Sequence, residues 1–131
     1  MFLQNSAKPY KLTLEERPGY LYAFIEGEKD TYEISRAAWQ EIADKAGELM
    51  SERVLIDENI TEPGSFADAY RLASEIPEMG FGRAKIAFVD RFLSQNDINQ
   101  FGELVAMNRG VNGRIFEDIK AAESWLFSDK G

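Results

Sequence analysis

Apolar and polar positions change period several times along this chain, and each change marks an element. Residues 11–15 alternate (Lys11, Leu12, Thr13, Leu14, Glu15), the period-two pattern of a half-buried strand. Arg17-Pro18-Gly19 breaks the pattern, and residues 20–26, rich in aromatic and β-branched side chains, predict a second strand. The short Pro-Gly link makes the two an antiparallel hairpin, with the first strand at a sheet edge. Residues 31–51 switch to helical spacing, with Ile34, Ala38, Ile42, Ala46 and Leu49 on one stripe and Arg36, Gln40, Asp44 and Glu48 opposite. Residues 53–56 (Arg-Val-Leu-Ile) are almost continuously apolar, as a strand covered on both faces should be.

The second half repeats the alternation. Ser65 with Asp68 has capping spacing ahead of Phe66, Ala69, Tyr70, Ala73 and Ile76, and Pro77 ends that helix. Residues 85–89 predict a fourth strand. Ser94 with Asp97 repeats the capping signal before a third helix whose stripe is Ile98, Phe101, Val105 and the stem of Arg109, and Gly110 stops it. Arg114-Ile115-Phe116 is a short fifth strand, and Asp118 caps a last helix with Ile119, Ala122, Trp125 and Leu126 inward. The order β-β-α-β-α-β-α-β-α defines an α/β fold: a mixed, mostly parallel five-stranded sheet with four helices. Ligands of such sheets collect at the carboxyl ends of the strands. Those ends are placed at Glu26-Gly27, Asp57-Glu58-Asn59, Asp90-Arg91 and Glu117-Asp118.

Length and composition narrow the function classes. A chain of 131 residues reads as a single domain, with residues 1–10 a loose segment ahead of it. The net charge of -8 argues against nucleic acid, whose affinity comes largely from Lys and Arg, and against docking on an anionic membrane. Neither a signal-peptide apolar region nor a run near the ~20 residues of a membrane span is present, so a cytoplasmic protein is expected. There is no Cys and no His, which removes disulfides, thiolate metal sites and Cys or His catalysis and fits a reducing compartment.

Four stretches carry a family resemblance: residues 22–27 (Tyr-Ala-Phe-Ile-Glu-Gly), residues 54–57 (Val-Leu-Ile-Asp), residues 85–90 (Lys-Ile-Ala-Phe-Val-Asp), and residues 114–126, with Arg-Ile-Phe-Glu-Asp followed by Ala121-Ala122 and Trp125-Leu126. With the element order, they resemble the SpoIIAA-like family of small bacterial proteins, which shares the STAS and SEC14-like fold. The resemblance covers nearly the whole chain from about Lys11 onward. It implies a non-enzymatic module that regulates through protein contacts, in some STAS domains switched by phosphorylation of a Ser or Thr at the start of the helix after the third strand. The SEC14-like relatives bind lipids, which adds a small apolar ligand to the implied partners. No cofactor is implied.

Ser65 is the candidate for that switch, with a plain N-cap as its simpler role. It stands eight residues beyond Asp57, so the tight Asp-x-Ser spacing of the family is missing. Asp57, Asn59, Ser65, Phe66, Asp90 and Phe92 are the candidate ligand- or partner-binding residues. Phe66 and Phe92 are expected to line an apolar pocket if both face the carboxyl edge, although core is the simpler place for Phe66 and Tyr70.

Other chemistries fit less well. Residues 57–61 (Asp-Glu-Asn-Ile-Thr) faintly resemble the Asp-x-Asp-x-Thr box of haloacid dehalogenase-type phosphatases, which supports an alternative of a small Asp57-dependent, divalent-cation phosphohydrolase. Asn59 replaces the second acid there, and an amide cannot donate a catalytic proton. Asp57 also sits where receiver domains carry a phospho-accepting Asp, but the acidic pair and the Lys which that chemistry needs are missing. The simpler role for Asp57 is a strand-end carboxylate accepting loop N–H groups. Asp57, Glu58, Asp90 and Asp118 are conceivable ligands for a hard cation, yet acids are common at strand ends, and no metal is expected. Gly80-Phe81-Gly82 precedes a strand and reads as a turn. Met107 falls opposite the stripe of its helix and points to a partner surface, which gives a third alternative, a structural homodimer subunit.

Overall fold

The structure, a computed structural model, describes residues 9–29, 31–62 and 64–128. Among these residues five strands form one sheet in the order β1-β2-β3-β4-β5: β1 (Tyr10–Arg17), β2 (Tyr20–Lys29), β3 (Arg53–Glu62), β4 (Lys85–Asp90) and β5 (Gly113–Phe116). The helices are α1 (Tyr32–Leu49), α2 (Phe66–Glu75), α3 (Asn96–Asn108) and α4 (Ile119–Leu126). β1 runs antiparallel to β2, and β2 to β5 run parallel. The α/β order and mostly parallel sheet expected from the pattern are those observed. Arg17 faces Tyr20 across the hairpin, so Pro18-Gly19 is the whole loop. Gly19 has φ +86°, and a Cβ there would stand 2.7 Å from the ring of Phe127, so glycine is required on both counts.

The sheet order decides where the helices go. Each crossover from β2 onward steps one strand in the same direction, and right-handed connections then place α1, α2 and α3 on one face. α4 follows the last strand and folds back on the other. Period-two alternation divides each strand between the two layers. β3 gives Val54, Ile56 and Ile60 to a core under Trp39, Ile42 and Ala46 of α1. It gives Leu55 to a second core with Ala87, Val89, Ala122, Trp125 and Leu126. Two strand-start cations hold the C-terminal end of α4. Lys85 Nζ donates to the carbonyls of Trp125 at 2.8 Å and Ser128 at 2.9 Å, and Arg53 Nε donates to that of Leu126 at 2.9 Å. Cations at a helix C-terminus satisfy free carbonyls and complement the macrodipole.

Three side chains cap their helices, Ser65 and Asp118 as the sequence predicts and Thr31, read from the sequence as helical itself, in addition. Thr31 Oγ1 accepts from the N–H of Ile34, Ser65 Oγ from that of Asp68, and Asp118 Oδ1 from that of Ala121. Ser94 does not. It lies in a 3₁₀ turn (Leu93–Gln95), and Gln95 stands at the α3 cap without a side-chain cap bond. Gln95, only 2% exposed, instead donates from Nε2 to the carbonyl of Ile60 at 2.9 Å. The turn is thus fixed by β3 rather than by a local cap. β3 itself is longer than expected: it runs to Glu62, with Ile60 opposite Gly27 and Glu62 opposite Lys29 of β2. Asp57, Glu58 and Asn59 therefore sit inside a strand and not in a loop after it. Of the loose N-terminal segment expected at residues 1–10, residues 1–8 lie outside the described residues, and Tyr10 already opens β1.

Candidate functional site

The extension of β3 changes the setting of Ser65. Only residues 63–65 separate Glu62, the last residue of β3, from Phe66, the first of α2. The eight-residue gap after Asp57 is mostly strand, so Ser65 follows the third strand closely and caps the next helix. It is exposed, with Oγ 3.1 Å from the N–H of Asp68.

From there an apolar surface runs across α2 and α3. Phe66 is 51% exposed and Tyr70 46%, which corrects the expectation that they are core. Both rings touch Phe101 of α3, with centroids at 5.5 Å and 6.5 Å. Leu104 and Met107 continue the line at i+3 spacing and are 57% and 55% exposed. The sequence pattern marked Met107 as lying off the stripe. Leu104 was missed, although it also falls between the stripe positions Phe101 and Val105.

A cleft lies between this helical layer and the sheet. It is lined by Trp39, Leu72, Ile76, Ile86 and Phe88, with Ser65 and Glu58 among its polar lining, and has a volume of about 110 Å³. A cavity of ~150 Å³ holds benzene. The cleft is smaller than that, so the part of a ligand it encloses is about the size of a short alkyl group. Phe66 does not line it.

Asp90 and Phe92 meet at a hollow at the carboxyl ends of β4 and β5 that Gln100 and Phe116 also line and that adjoins the first cleft through Phe88, Asn99 and Ile115. Asp90 is 8% exposed and accepts from the N–H of Phe92 at 2.9 Å and from Asn99 Nδ2 at 2.8 Å. Burial pushes its carboxyl up, and these two donors oppose that shift. Neither of the two clefts has both Phe66 and Phe92 in its lining, so the shared pocket expected of them is not formed. The cause is the topology: α2 carries Phe66 outward over α3, while Phe92 stays at the sheet edge.

Asp57 belongs to neither cleft. It lies on the opposite face of the sheet from Glu58, between Phe24 of β2 and Val89 of β4, and is 1% exposed. Its donors are side chains rather than the loop N–H groups expected. Tyr22 Oη donates to Oδ2 at 2.6 Å, Arg91 Nη2 to Oδ2 at 2.8 Å and Arg91 Nε to Oδ1 at 3.2 Å. Desolvation and then the bond to Asp57 push the Tyr22 hydroxyl up to about 12. The bond to Asp57 also raises Arg91, whose guanidinium rests 5.0 Å from the ring centroid of Phe24. A carboxylate covered and held in this way presents no free face to a phosphate or cation. Asn59 shares its face and pairs with Glu26. Nothing in the sequence pattern marked Tyr22 or Arg91 as partners.

The six candidate residues therefore fall into three places: Ser65 and Phe66 at the start of α2, Asp90 and Phe92 at the β4–β5 hollow, and Asp57 and Asn59 on the reverse face of β3. The four acids considered for a cation are likewise divided between the two faces and the α4 cap. Among the described residues no group of three or more acids, His or Cys could hold a metal ion, and no helix is long and apolar enough to cross a membrane.

Comparison with solved structures places the fold. The crystal structure of an anti-sigma factor antagonist from Mycobacterium paratuberculosis matches with a TM-score of 0.64 and 11% sequence identity, covering 93% of this chain and 97% of that one. The chain has the SpoIIAA/STAS-like fold, as the resemblance implied. No family model matches the chain, and neither does any curated protein.

Proposed function

We propose that this chain is a cytoplasmic, non-enzymatic regulatory module that captures a protein partner on the α2–α3 surface. The carrying observation is the line of half-exposed apolar side chains from Phe66 and Tyr70 through Phe101 to Leu104 and Met107. Large apolar groups kept in water at adjoining positions mark an interaction surface. The structural neighbour is by its name an antagonist of an anti-sigma factor, a role exercised on another protein, and it supports the same kind of role here. Ser65 stands at one end of this surface. A phosphate there would add about -1.5 to -2 charges at a helix N-terminus, close to Asp68, and would alter the partner's contact.

The test is capture by the tagged full chain in cells of its source, compared with Leu104→Asp/Met107→Asp. Both side chains are exposed, so the fold should survive. A protein retained by the parent and lost by the double variant supports the surface. A partner retained equally by both refutes it. Ser65→Asp should change the retention of that same protein, and an unchanged level leaves Ser65 only its cap role.

A second reading, capture of a small apolar ligand, is favoured by the cleft beside Trp39, Ile86 and Phe88. Native mass spectrometry of gently purified protein should then show the added mass of a small apolar molecule. A chain that carries no added mass would refute this reading.

A further inference from the structure

β1 is the antiparallel edge of the sheet, and among the described residues no strand pairs with its outer side. Natural edges are blunted by short length, proline, a bulge or charged side chains, and of these β1 carries only the charges, at Lys11, Glu15, Glu16 and Arg17. β1 has eight residues, carries no proline, and keeps an unbroken register with β2 from Tyr10↔Gly27 to Arg17↔Tyr20. A two-residue hairpin makes Arg17/Tyr20 a hydrogen-bonded pair, so the odd-numbered residues of β1 turn their N–H and C=O toward β2. Tyr10, Leu12, Leu14 and Glu16 turn theirs outward. On the side-chain level Lys11, Thr13 and Glu15 stand exposed on one face, while Leu12 and Leu14 lie partly buried against the core on the other.

We propose that β1 pairs antiparallel with β1 of a second copy about a twofold axis at Thr13, joining two five-stranded sheets into one. In that alignment Lys11 faces Glu15 of the second copy, and Glu15 faces its Lys11. Thr13 faces Thr13, and Leu12 faces Leu14 twice on the helix side. Opposite charges, Thr pairs and apolar pairs are each favourable across antiparallel strands. The backbone selects the same parity, because the outward groups come from the pairs Tyr10/Glu16 and Leu12/Leu14. Sliding by one pair in one direction sets Lys11 against Arg17 and Leu12 against Glu16. Sliding in the other sets Lys11 against Thr13 and Glu15 against Pro9. Only the alignment on Thr13 sets both Lys11 and Glu15 against opposite charges, for Glu15 in addition to its own copy's Arg17 Nε at 2.6 Å, and self-complementarity of this kind identifies a second copy as the occupant. Each copy carries -8, but at about 0.1 M salt the ~10 Å Debye length screens the long-range repulsion and leaves the close pairs.

The chain contains no Cys, so a single introduced thiol reports the contact cleanly. Thr13 faces its mate in a non-hydrogen-bonded pair, with Cα atoms about 4.5 Å apart, inside the range a disulfide spans. Thr13→Cys in the full chain, oxidised with glutathione disulfide at 0.1 M salt, should form a covalent dimer at least tenfold faster than Met50→Cys, whose site is 86% exposed and remote. By sedimentation equilibrium Lys11→Glu should weaken the dimer roughly tenfold, Glu15→Lys should do the same, and the double exchange should restore it. That rescue separates a lost contact from a damaged fold. The proposal is overturned if the chain stays monomeric and Thr13→Cys couples no faster than the control. It is equally overturned if a dimer forms that ignores both charge changes and disappears with Met107→Asp.

Discussion

Arg91 is half in solvent, yet it holds a carboxylate that is almost completely out of it. Asp57 has two of its three side-chain bonds from this guanidinium and the third from Tyr22. A buried acceptor that loses its partner carries its full desolvation cost, about 1–3 kcal/mol, more for a charge and less where water can enter behind the exposed arginine. Arg91→Met should therefore lower the unfolding free energy by about 2 kcal/mol. Asp57→Leu combined with Arg91→Met should recover most of that, because replacing both partners by apolar groups of similar shape is close to neutral. Urea midpoints of the three proteins decide the matter, and an Arg91→Met midpoint equal to the parent's would show that the pair contributes nothing. Asp57 stood out in the sequence as an acid closing an apolar run. Its partners did not, because they lie 34 and 35 residues away and reach it only through the pairing of neighbouring strands.

At the level of elements, hydrophobic period gave the existence and type of all nine, and the Ser65 and Asp118 caps of α2 and α4 were readable from local spacing, while Thr31, the cap of α1, read as part of the helix. The misplaced features share a cause. β3 seemed to end at Ile56 because Asp57, Glu58 and Asn59 are polar, but their continued pairing with β2 is a tertiary fact. Ser94 had cap spacing and lost to Gln95, whose amide anchors the turn to Ile60. The attachment of α4 is a third case. Its inner face of Ala122, Trp125 and Leu126 was legible, while the cations at its end come from the first residues of β3 and β4. Lys85 bonds two carbonyls there, and its ammonium lies 4.7 Å from the centroid of the Trp125 ring. Lys85→Met keeps the stem and deletes those interactions, so it should cost about 1.5–3 kcal/mol, the range for bonds to a charged group. Amide exchange should locate the loss, with protection falling first over the last turn of α4. Uniform loss across α1 would mean that Lys85 acts elsewhere.

Over the whole molecule the sheet is shared property. Adjacent residues of β3 serve opposite layers, Val54 and Ile56 beneath α1 and Leu55 beneath α4, so neither layer can be dissolved without exposing the backs of strands that the other requires. The chain has two tryptophans, and each is buried in one layer, Trp39 with the first core and Trp125 with the second. Trp39→Phe and Trp125→Phe leave a single fluorophore apiece and report the layers separately. Cooperative unfolding requires both emission transitions in urea to coincide with loss of far-ultraviolet circular dichroism. A cut into either core should shift them together. Leu126→Ala, at a residue with no exposure, should cost about 2–5 kcal/mol and move the Trp39 signal as far as the Trp125 signal, although Leu126 lies in the other layer. If Trp125 instead reported an earlier transition and Trp39 did not follow, α4 would open alone, and the reverse face of β3 and β4 would become exposed surface while the rest of the sheet stayed folded. The α2–α3 surface would keep its shape in that case, since it is built wholly on the first layer.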